Sequence, residues 1–193
     1  MPGNRGKQVL EVEHFADKDT YKDRVLEWEN LLPACKRCNV RKHSHDVLLD
    51  PIVNPAVDDP RDHLHFAFYR FDGKCEVGRS TVEVLGLNDP ERLLLNRFQV
   101  GSKVLEVLAD IGQRLREYDN VSSSVRKRNN ILGRLTSLMS EGQPTAEYSA
   151  TVSTVIIRSA DYSFIVQEMN RLELWTDEFS QLDRGMHGIA YPS

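Results

Sequence analysis

A glutamate and a histidine stand side by side near the N-terminus, and a cluster of amide, imidazole and basic side chains follows them. Glu13 and His14 lie in "VEHF", and "LPACKRCNVRKHSHD" at 32–46 adds Asn39 and His43. A neutral imidazole takes a proton from water near neutral pH. Carboxylate, amide and imidazole groups bind hard divalent ions. These residue types suit hydrolysis of a phosphodiester with one metal ion.

Each side chain of this group has a role that its chemistry suits. His14 is the candidate general base, and Glu13 and Asn39 are candidate ligands of Mg²⁺ or another divalent ion. His43 is a further candidate ligand, because on a helical turn it would share one face with Asn39. Asn30 is expected to fix the imidazole by a hydrogen bond. The following basic residues are expected to contact the nucleic-acid backbone: Lys36, Arg37, Arg41 and Lys42.

Two cysteines, Cys35 and Cys38, form a Cys-x-x-Cys pair beside the basic residues. The total of three cysteines is a poor disulfide framework, so the pair is better interpreted as a metal or redox motif. A closed zinc site needs about four ligands, and Cys75 stands alone in the sequence. A structural Zn²⁺ on Cys35 and Cys38 is therefore an incomplete prediction. The alternative is that the two side chains simply pack.

The N-terminal elements that would position these groups are short. Alternation in "KQVLEVEHFA" at 7–16 predicts a strand that carries Glu13 and His14, and "NVRKHSHD" predicts one or two helical turns. "HLHFAFYRF" at 63–71 predicts a strand, which "DG" at 72–73 would turn into "KCEVG" as a hairpin. The aspartates at 58, 59 and 62 predict a capped turn before that strand rather than an acidic cluster.

Helical periodicity dominates from about residue 80 onward. "DPERLLLNRFQVGSKVLEVLADIGQRLREYDN" predicts an amphipathic helix with Asp89 as its cap and Pro90 at its first position. "VSSSVRKRNNILGRLTSLMS" predicts a second helix. The tail from 172 carries aromatic residues, which suit either docking on a partner or packing on its own domain. We expect an α+β protein with a core at 1–78 and a mainly helical region at 79–193.

The segments "VEHF … WENLLPACKRCNVRK", with "LLDP … DDPRDHLHF" behind them, resemble the HNH endonuclease family, which has a ββα-metal fold. More narrowly, they resemble the PtuB subunits of Septu anti-phage systems and the related retron effectors. The resemblance covers residues 9 to about 70. It implies that His14 is the general base, Asn30 the orienting asparagine, Asn39 the last motif residue and a metal ligand, and Glu13 the ligand before the base.

Two features bear on how far this resemblance extends. His43 stands where some HNH nucleases place a second imidazole ligand, although the position is often glycine in close relatives. Many members also carry a second Cys-x-x-Cys upstream of the base, which completes a four-cysteine zinc site. The thirteen residues before His14 contain no cysteine.

The resemblance implies a DNA endonuclease that works in a complex with an ABC/SMC-like ATPase of the PtuA type. No Walker A motif occurs in the chain, so any use of ATP would belong to that partner. The alternatives are a nucleic-acid-binding or scaffold subunit with little catalysis of its own, and an HNH nuclease that cleaves RNA.

Composition limits the other classes. The net charge of -4 argues against a general nucleic-acid coat, although positions 36–45 are basic and contain no acid. The longest apolar runs, such as "VLL" and "LLL", are too short for a transmembrane helix, so no membrane partner is expected. The N-terminus lacks a secretory pattern, and a cytoplasmic location is the resulting expectation.

Overall fold

The structure is a computed structural model that describes residues 10–118 and 124–192. The chain divides into two units, Met1–Pro90 and Glu91–Ser193, each with its own packing. The boundary that the sequence placed after residue 78 falls within a helix, Glu76–Val84, of the first unit. No helix among the described residues is long and apolar enough to cross a membrane.

Two antiparallel strands and a helix are the first elements in the described part of the first unit. Strand β1 (Leu10–His14) pairs with β2 (Leu31–Cys35), and α1 (Lys36–Lys42) follows β2 directly and packs on both strands. Because side chains alternate along a strand, Glu11 and Glu13 share the face that contacts α1. The predicted strand is confirmed over β1, and its expected start at 7–9 lies outside the described residues.

A second hairpin follows in the same unit. It comprises α2 (Pro60–His63), β3 (Leu64–Ala67), β4 (Arg70–Gly73) and α3 (Glu76–Val84). The capped turn predicted before β3 is confirmed, since Asp59 accepts a hydrogen bond from the Arg61 amide at 2.9 Å.

The hairpin turn predicted at 72–73 is wrong. The chain turns instead at Phe68 and Tyr69, which both have left-handed φ angles of 48° and 64°. Phe66 pairs with Phe71 across the strands, and their rings lie 5.0 Å apart. This cross-strand packing favours the observed register even though the turn lacks glycine. "KCEVG" therefore leads into α3 rather than forming a strand.

The second unit is helical. After a π-helical turn at Pro90–Leu94, the described elements are α4 (Leu95–Arg116), α5 (Val125–Glu141), α6 (Ser149–Arg158), α7 (Ala160–Arg171) and α8 (Asp177–His187). Their apolar faces meet in one core that includes Leu108, Ile111, Leu135, Ile156 and Ile165. The predicted helices are confirmed over α4 and α5, and the observed architecture is α+β. Helix α4 begins at Leu95 with no side-chain cap, so the prediction that Asp89 caps it is wrong. The parts of both predictions at 119–123 lie outside the described residues.

The tail that the sequence left open packs on its own unit. Phe179 and Met186 lie on opposite ends of α8 and are both buried in the core of the second unit. Trp175 packs against the same core, and its indole Nε1 donates a hydrogen bond to Ser180 Oγ at 2.9 Å. The aromatic residues of the tail are thus accounted for by burial within the chain.

Candidate active site

His14 is the last residue of β1, and a hydrogen bond fixes one edge of its imidazole ring. Its Nε2 atom lies 3.1 Å from the carbonyl oxygen of Val25, in the loop between β1 and β2. Because a carbonyl only accepts, this contact places the ring hydrogen on Nε2. Nδ1 then carries the lone pair, and it makes no hydrogen bond to any other described residue. The geometry therefore leaves His14 with a basic nitrogen that can take a proton from water.

Asn30 does not bind the imidazole, which corrects the expectation from the sequence. Only 1% of it is exposed, and its side chain bonds the backbone on both sides of the loop. Oδ1 accepts from the Ala16 amide at 2.7 Å, while Nδ2 donates to the carbonyls of Ala16 and Arg24 at 3.2 and 3.1 Å. Arg24 immediately precedes Val25, so Asn30 fixes the backbone next to the carbonyl that orients His14.

Lys42 points inward, so its expected contact with a nucleic-acid phosphate is also corrected. Its ammonium lies 2.8 Å from Glu13 Oε1 and donates to the backbone carbonyl of His14 at 3.0 Å. Only 3% of the Lys42 side chain and 10% of that of Glu13 are exposed. Lys42 points inward because it lies three residues after Asn39 and therefore on the same inner face of α1. Lys42 thus neutralises Glu13 inside the site.

Asn39 is held by a residue that the sequence analysis did not single out. Its Nδ2 donates to Glu11 Oε2 at 3.1 Å, which leaves Asn39 Oδ1 without a hydrogen bond among the described residues. The signal for Glu11 was the alternation of β1, since Glu11 and Glu13 lie two residues apart on one face. Glu11 therefore holds the amide nitrogen of Asn39, so that the amide oxygen is the atom left to bind a metal ion.

The oxygen donors on β1 and α1 are of the kind that a hard divalent ion binds. Glu13 Oε1 is buried 2.8 Å from the Lys42 ammonium, in a geometry that is not a hydrogen bond, and Asn39 Oδ1 is a second oxygen donor. In the described part of the chain, no three His, Cys, Asp or Glu side chains are arranged to hold an ion. Mg²⁺ commonly binds through one or two protein oxygens together with waters and substrate phosphate. A site with two protein ligands, Glu13 and Asn39, is consistent with this mode of Mg²⁺ binding.

His43 makes no side-chain hydrogen bond to Glu13 or Asn39 among the described residues. Helix α1 ends at Lys42, and His43 follows with φ 46° and ψ -129°, outside the helical region. Its backbone amide still donates to the Asn39 carbonyl at 2.9 Å, but its φ angle turns the side chain away from the helical direction. The ring is exposed, and its Nδ1 lies 2.9 Å from Ser44 Oγ. A left-handed φ at this position is what glycine adopts most easily.

The remaining basic residues of α1 differ in their surroundings. Lys36 and Arg37 are exposed in its first turn. Arg41 is tied to the segment after α3, because its Nη1 lies 3.4 Å from both the Gly86 carbonyl and Asp89 Oδ2. Of the four basic residues predicted to contact phosphates, Lys36 and Arg37 have the charges that are most accessible to a ligand.

The cysteine pair interacts mainly with itself. Cys35 caps α1, and its Sγ accepts a hydrogen bond from the Cys38 amide at 3.4 Å. Burial, together with the neighbouring Cys35, raises the pKa of Cys38 to about 11. Among the described residues, no third ligand of the His, Cys, Asp or Glu type joins them. Cys75 instead contacts His63, whose Nδ1 lies 3.4 Å from its sulfur.

Comparisons with known proteins identify relatives of the chain. A family model described as HNH endonuclease matches residues 3–45, which include Glu13, His14, Asn30 and Asn39. The Septu protein PtuB of Bacillus thuringiensis is 38% identical over 176 residues, which are 91% of this chain and 68% of that protein. No solved structure matches the chain.

Proposed function

Since the chain belongs to the HNH endonuclease family, is PtuB-like and is thus a nuclease, we propose that it hydrolyses DNA with a divalent ion as the nuclease subunit of a Septu defence complex. One observation carries the chemical part of this proposal. The His14 ring has Nε2 fixed by the Val25 carbonyl and Nδ1 open, while Lys42 joins the His14 backbone to the carboxylate of Glu13.

His14 acts as the general base of this reaction. Its Nδ1 takes a proton from the water that attacks the phosphorus atom. The Val25 carbonyl then accepts from Nε2 in both protonation states, so the ring keeps its orientation during the transfer. Asn30 preserves that orientation by holding the loop around Arg24.

Glu13 and Asn39 would hold the divalent ion, and Glu11 would orient Asn39 for it. When bound, such an ion stabilises the charge that develops on the phosphate and on the leaving oxygen. Lys42 holds the His14 backbone and the Glu13 carboxylate together, so the base and this ligand keep a fixed relation. These contacts assign Lys42 a positioning role.

Lys36 and Arg37 are the proposed contacts to the DNA backbone, because both are exposed at the start of α1. An ABC/SMC-like ATPase of the PtuA type is the proposed partner. The support is the likeness to a Septu protein, together with the lack of a Walker A sequence in this chain.

The test is cleavage of plasmid DNA by the chain together with its ATPase partner, in Mg²⁺ or Mn²⁺ and in EDTA. His14→Ala should lower the rate by about 10²- to 10⁴-fold, as expected for loss of a general base. His43→Ala is the matched control, because its exposed ring lies outside the ligand group, and it should cleave like the wild type.

Equal rates for wild type and His14→Ala would overturn the assignment of the base. A folded, partner-bound wild type that cleaves RNA but not DNA would overturn the substrate. Cleavage that persists in EDTA would contradict the role of the ion.

A further inference from the structure

Two large apolar side chains project from the loop that orients the general base. Leu26 follows Val25 directly and is 92% exposed, and Trp28 is 82% exposed. Exposing side chains of this size to water is unfavourable, and grouped exposed apolar residues mark binding surfaces. Building on the proposed function, we infer that Leu26 and Trp28 contact the bases of the DNA beside the phosphate that is cleaved, with Trp28 stacking on a base.

The loop that carries them is fixed rather than loose. Buried Asn30 bonds the backbone at Ala16 and Arg24, and the amide of Asn30 itself donates to the Glu27 carbonyl at 3.0 Å. Leu26 and Trp28 therefore stand between two anchored positions. A rigid aromatic side chain binds with little loss of conformational entropy, so such a platform is preorganised for its ligand.

The position of the loop relates these side chains to the substrate. Val25 bonds Nε2 of His14, and the attacking water must meet Nδ1 of the same ring. The loop thus contacts one nitrogen of the His14 ring, and the proposed substrate would meet the other. Leu26 is one residue from Val25 and Trp28 three, so their backbones lie within about 4 and 11 Å of that residue. These side chains are therefore assigned to a nucleotide next to the cleaved phosphate.

Charge favours bases over phosphates as the contacted groups. Glu27 and Glu29 flank Trp28, and Glu27 is already paired with Arg24 at 2.7 Å. Carboxylates at this tip would repel the phosphate backbone. The faces of the bases are uncharged, and aromatic or aliphatic side chains stack on them or insert between them. The tip of the loop therefore complements the base stack, while Lys36 and Arg37 complement the phosphates.

The first test follows each tryptophan in the assembled protein. The chain has two tryptophans, Trp28 and Trp175, so labelling this subunit with 5-fluorotryptophan gives two ¹⁹F signals. Trp28→Phe assigns them. In a His14→Ala background with unlabelled partner, adding duplex DNA should shift the Trp28 signal and leave that of Trp175 unchanged. Anisotropy of the labelled duplex measures binding in the same samples.

The outcomes separate the inference from the proposed function. Saturable DNA binding with an unmoved Trp28 signal would overturn the inference and leave the nuclease intact. A Trp28 signal that shifts on adding the ATPase alone, and not further with DNA, would assign the surface to the partner instead. The absence of any DNA binding would count against the proposed substrate itself.

The second test measures affinity. In the His14→Ala background, Trp28→Ala should weaken duplex binding by about 5- to 150-fold, the range expected for losing one stacked base. Trp28→Phe should keep most of the affinity, because it keeps an aromatic face. Phe68→Ala is the matched control, since Phe68 is a 93% exposed aromatic residue outside this loop. Equal losses for Phe68→Ala and Trp28→Ala would overturn the inference.

Discussion

The two units of this protein are stabilised by different kinds of contact. In the first unit, the apolar cluster found among the described residues around the site consists of Ala16, Val47 and Ile52, with a few partly buried neighbours. Beside it, Asn30 and Lys42 are buried with their polar partners. In the second unit, the apolar faces of α4 to α8 form one large core.

This difference in contacts corresponds to two requirements, overall stability and a fixed geometry at the site. Apolar burial supplies stability without directional preference, which suits the second unit. Buried hydrogen bonds and ion pairs contribute little net stability, but they hold groups in one geometry when every partner is satisfied. The candidate active site lies where contacts of the second kind dominate, at β1, the β1–β2 loop and α1.

The largest expected effect comes from removing the buried ammonium. Lys42→Met should lower the free energy of unfolding of the first unit by about 3–5 kcal/mol, because it leaves the Glu13 carboxylate buried and unpaired. Cleavage should fall as well, since Lys42 also holds the His14 backbone. Urea denaturation with and without Mn²⁺ measures this, and the ion should stabilise the variant more than the wild type.

The matched variant for Lys42→Met combines it with Glu13→Gln, which removes the unpaired charge. The double variant should recover much of the stability but none of the activity. A Lys42→Met protein as stable as the wild type would show that polar contacts do not hold this unit together.

A cavity in the second unit should change stability alone. Leu108 is fully buried, and Leu108→Ala should lower the free energy of unfolding by about 2–5 kcal/mol. The catalytic rate per folded molecule should stay unchanged, because His14, Glu13 and Asn39 belong to the first unit. Calorimetry and cleavage at a temperature where the variant is folded measure the two quantities. A large loss of rate in fully folded Leu108→Ala would contradict the division of roles.

A smaller effect of opposite sign is expected at His43. His43→Gly should stabilise the first unit by about 1 kcal/mol, because glycine adopts the left-handed φ of 46° without strain. Tyr148, with φ 56°, is the counterpart in the second unit, but its hydroxyl accepts from Asn96 at 3.1 Å. Tyr148→Gly should therefore gain less or lose stability. Urea midpoints measure both, and a destabilised His43→Gly would refute the strain argument.

The smallest effect concerns the cysteines. Hydrogen bonding to His63 lowers the pKa of Cys75, whereas burial raises that of Cys38 to about 11. Since the thiolate is the reactive form, iodoacetamide at neutral pH should modify Cys75 before Cys38, as read by peptide mass spectrometry. The raised pKa of Cys38 favours its neutral form in the folded state. Its contribution to stability is therefore present below pH 9 and should be lost as the pH rises towards 11.

Local patterns were enough to predict several elements. Alternation predicted β1, helical periodicity predicted the long helices of the second unit, and the aspartates at 58, 59 and 62 predicted a capped turn before β3, where Asp59 is the cap. The hairpin turn was misplaced, because "DG" is a strong local signal and the pairing of Phe66 with Phe71 outweighed it. Cross-strand packing depends on residues that only the folded register brings together.

The sequence by itself determined the chemistry of the site: a histidine beside a glutamate, an asparagine on a following helix, and basic residues around it. Only the tertiary structure decided how those groups are used. It placed the Val25 carbonyl on the imidazole, brought Glu11 to Asn39, turned Lys42 inward and ended α1 before His43. The reason is physical, because residue type fixes what a side chain can donate or accept, whereas its partner depends on burial and on which backbone groups the fold leaves within reach.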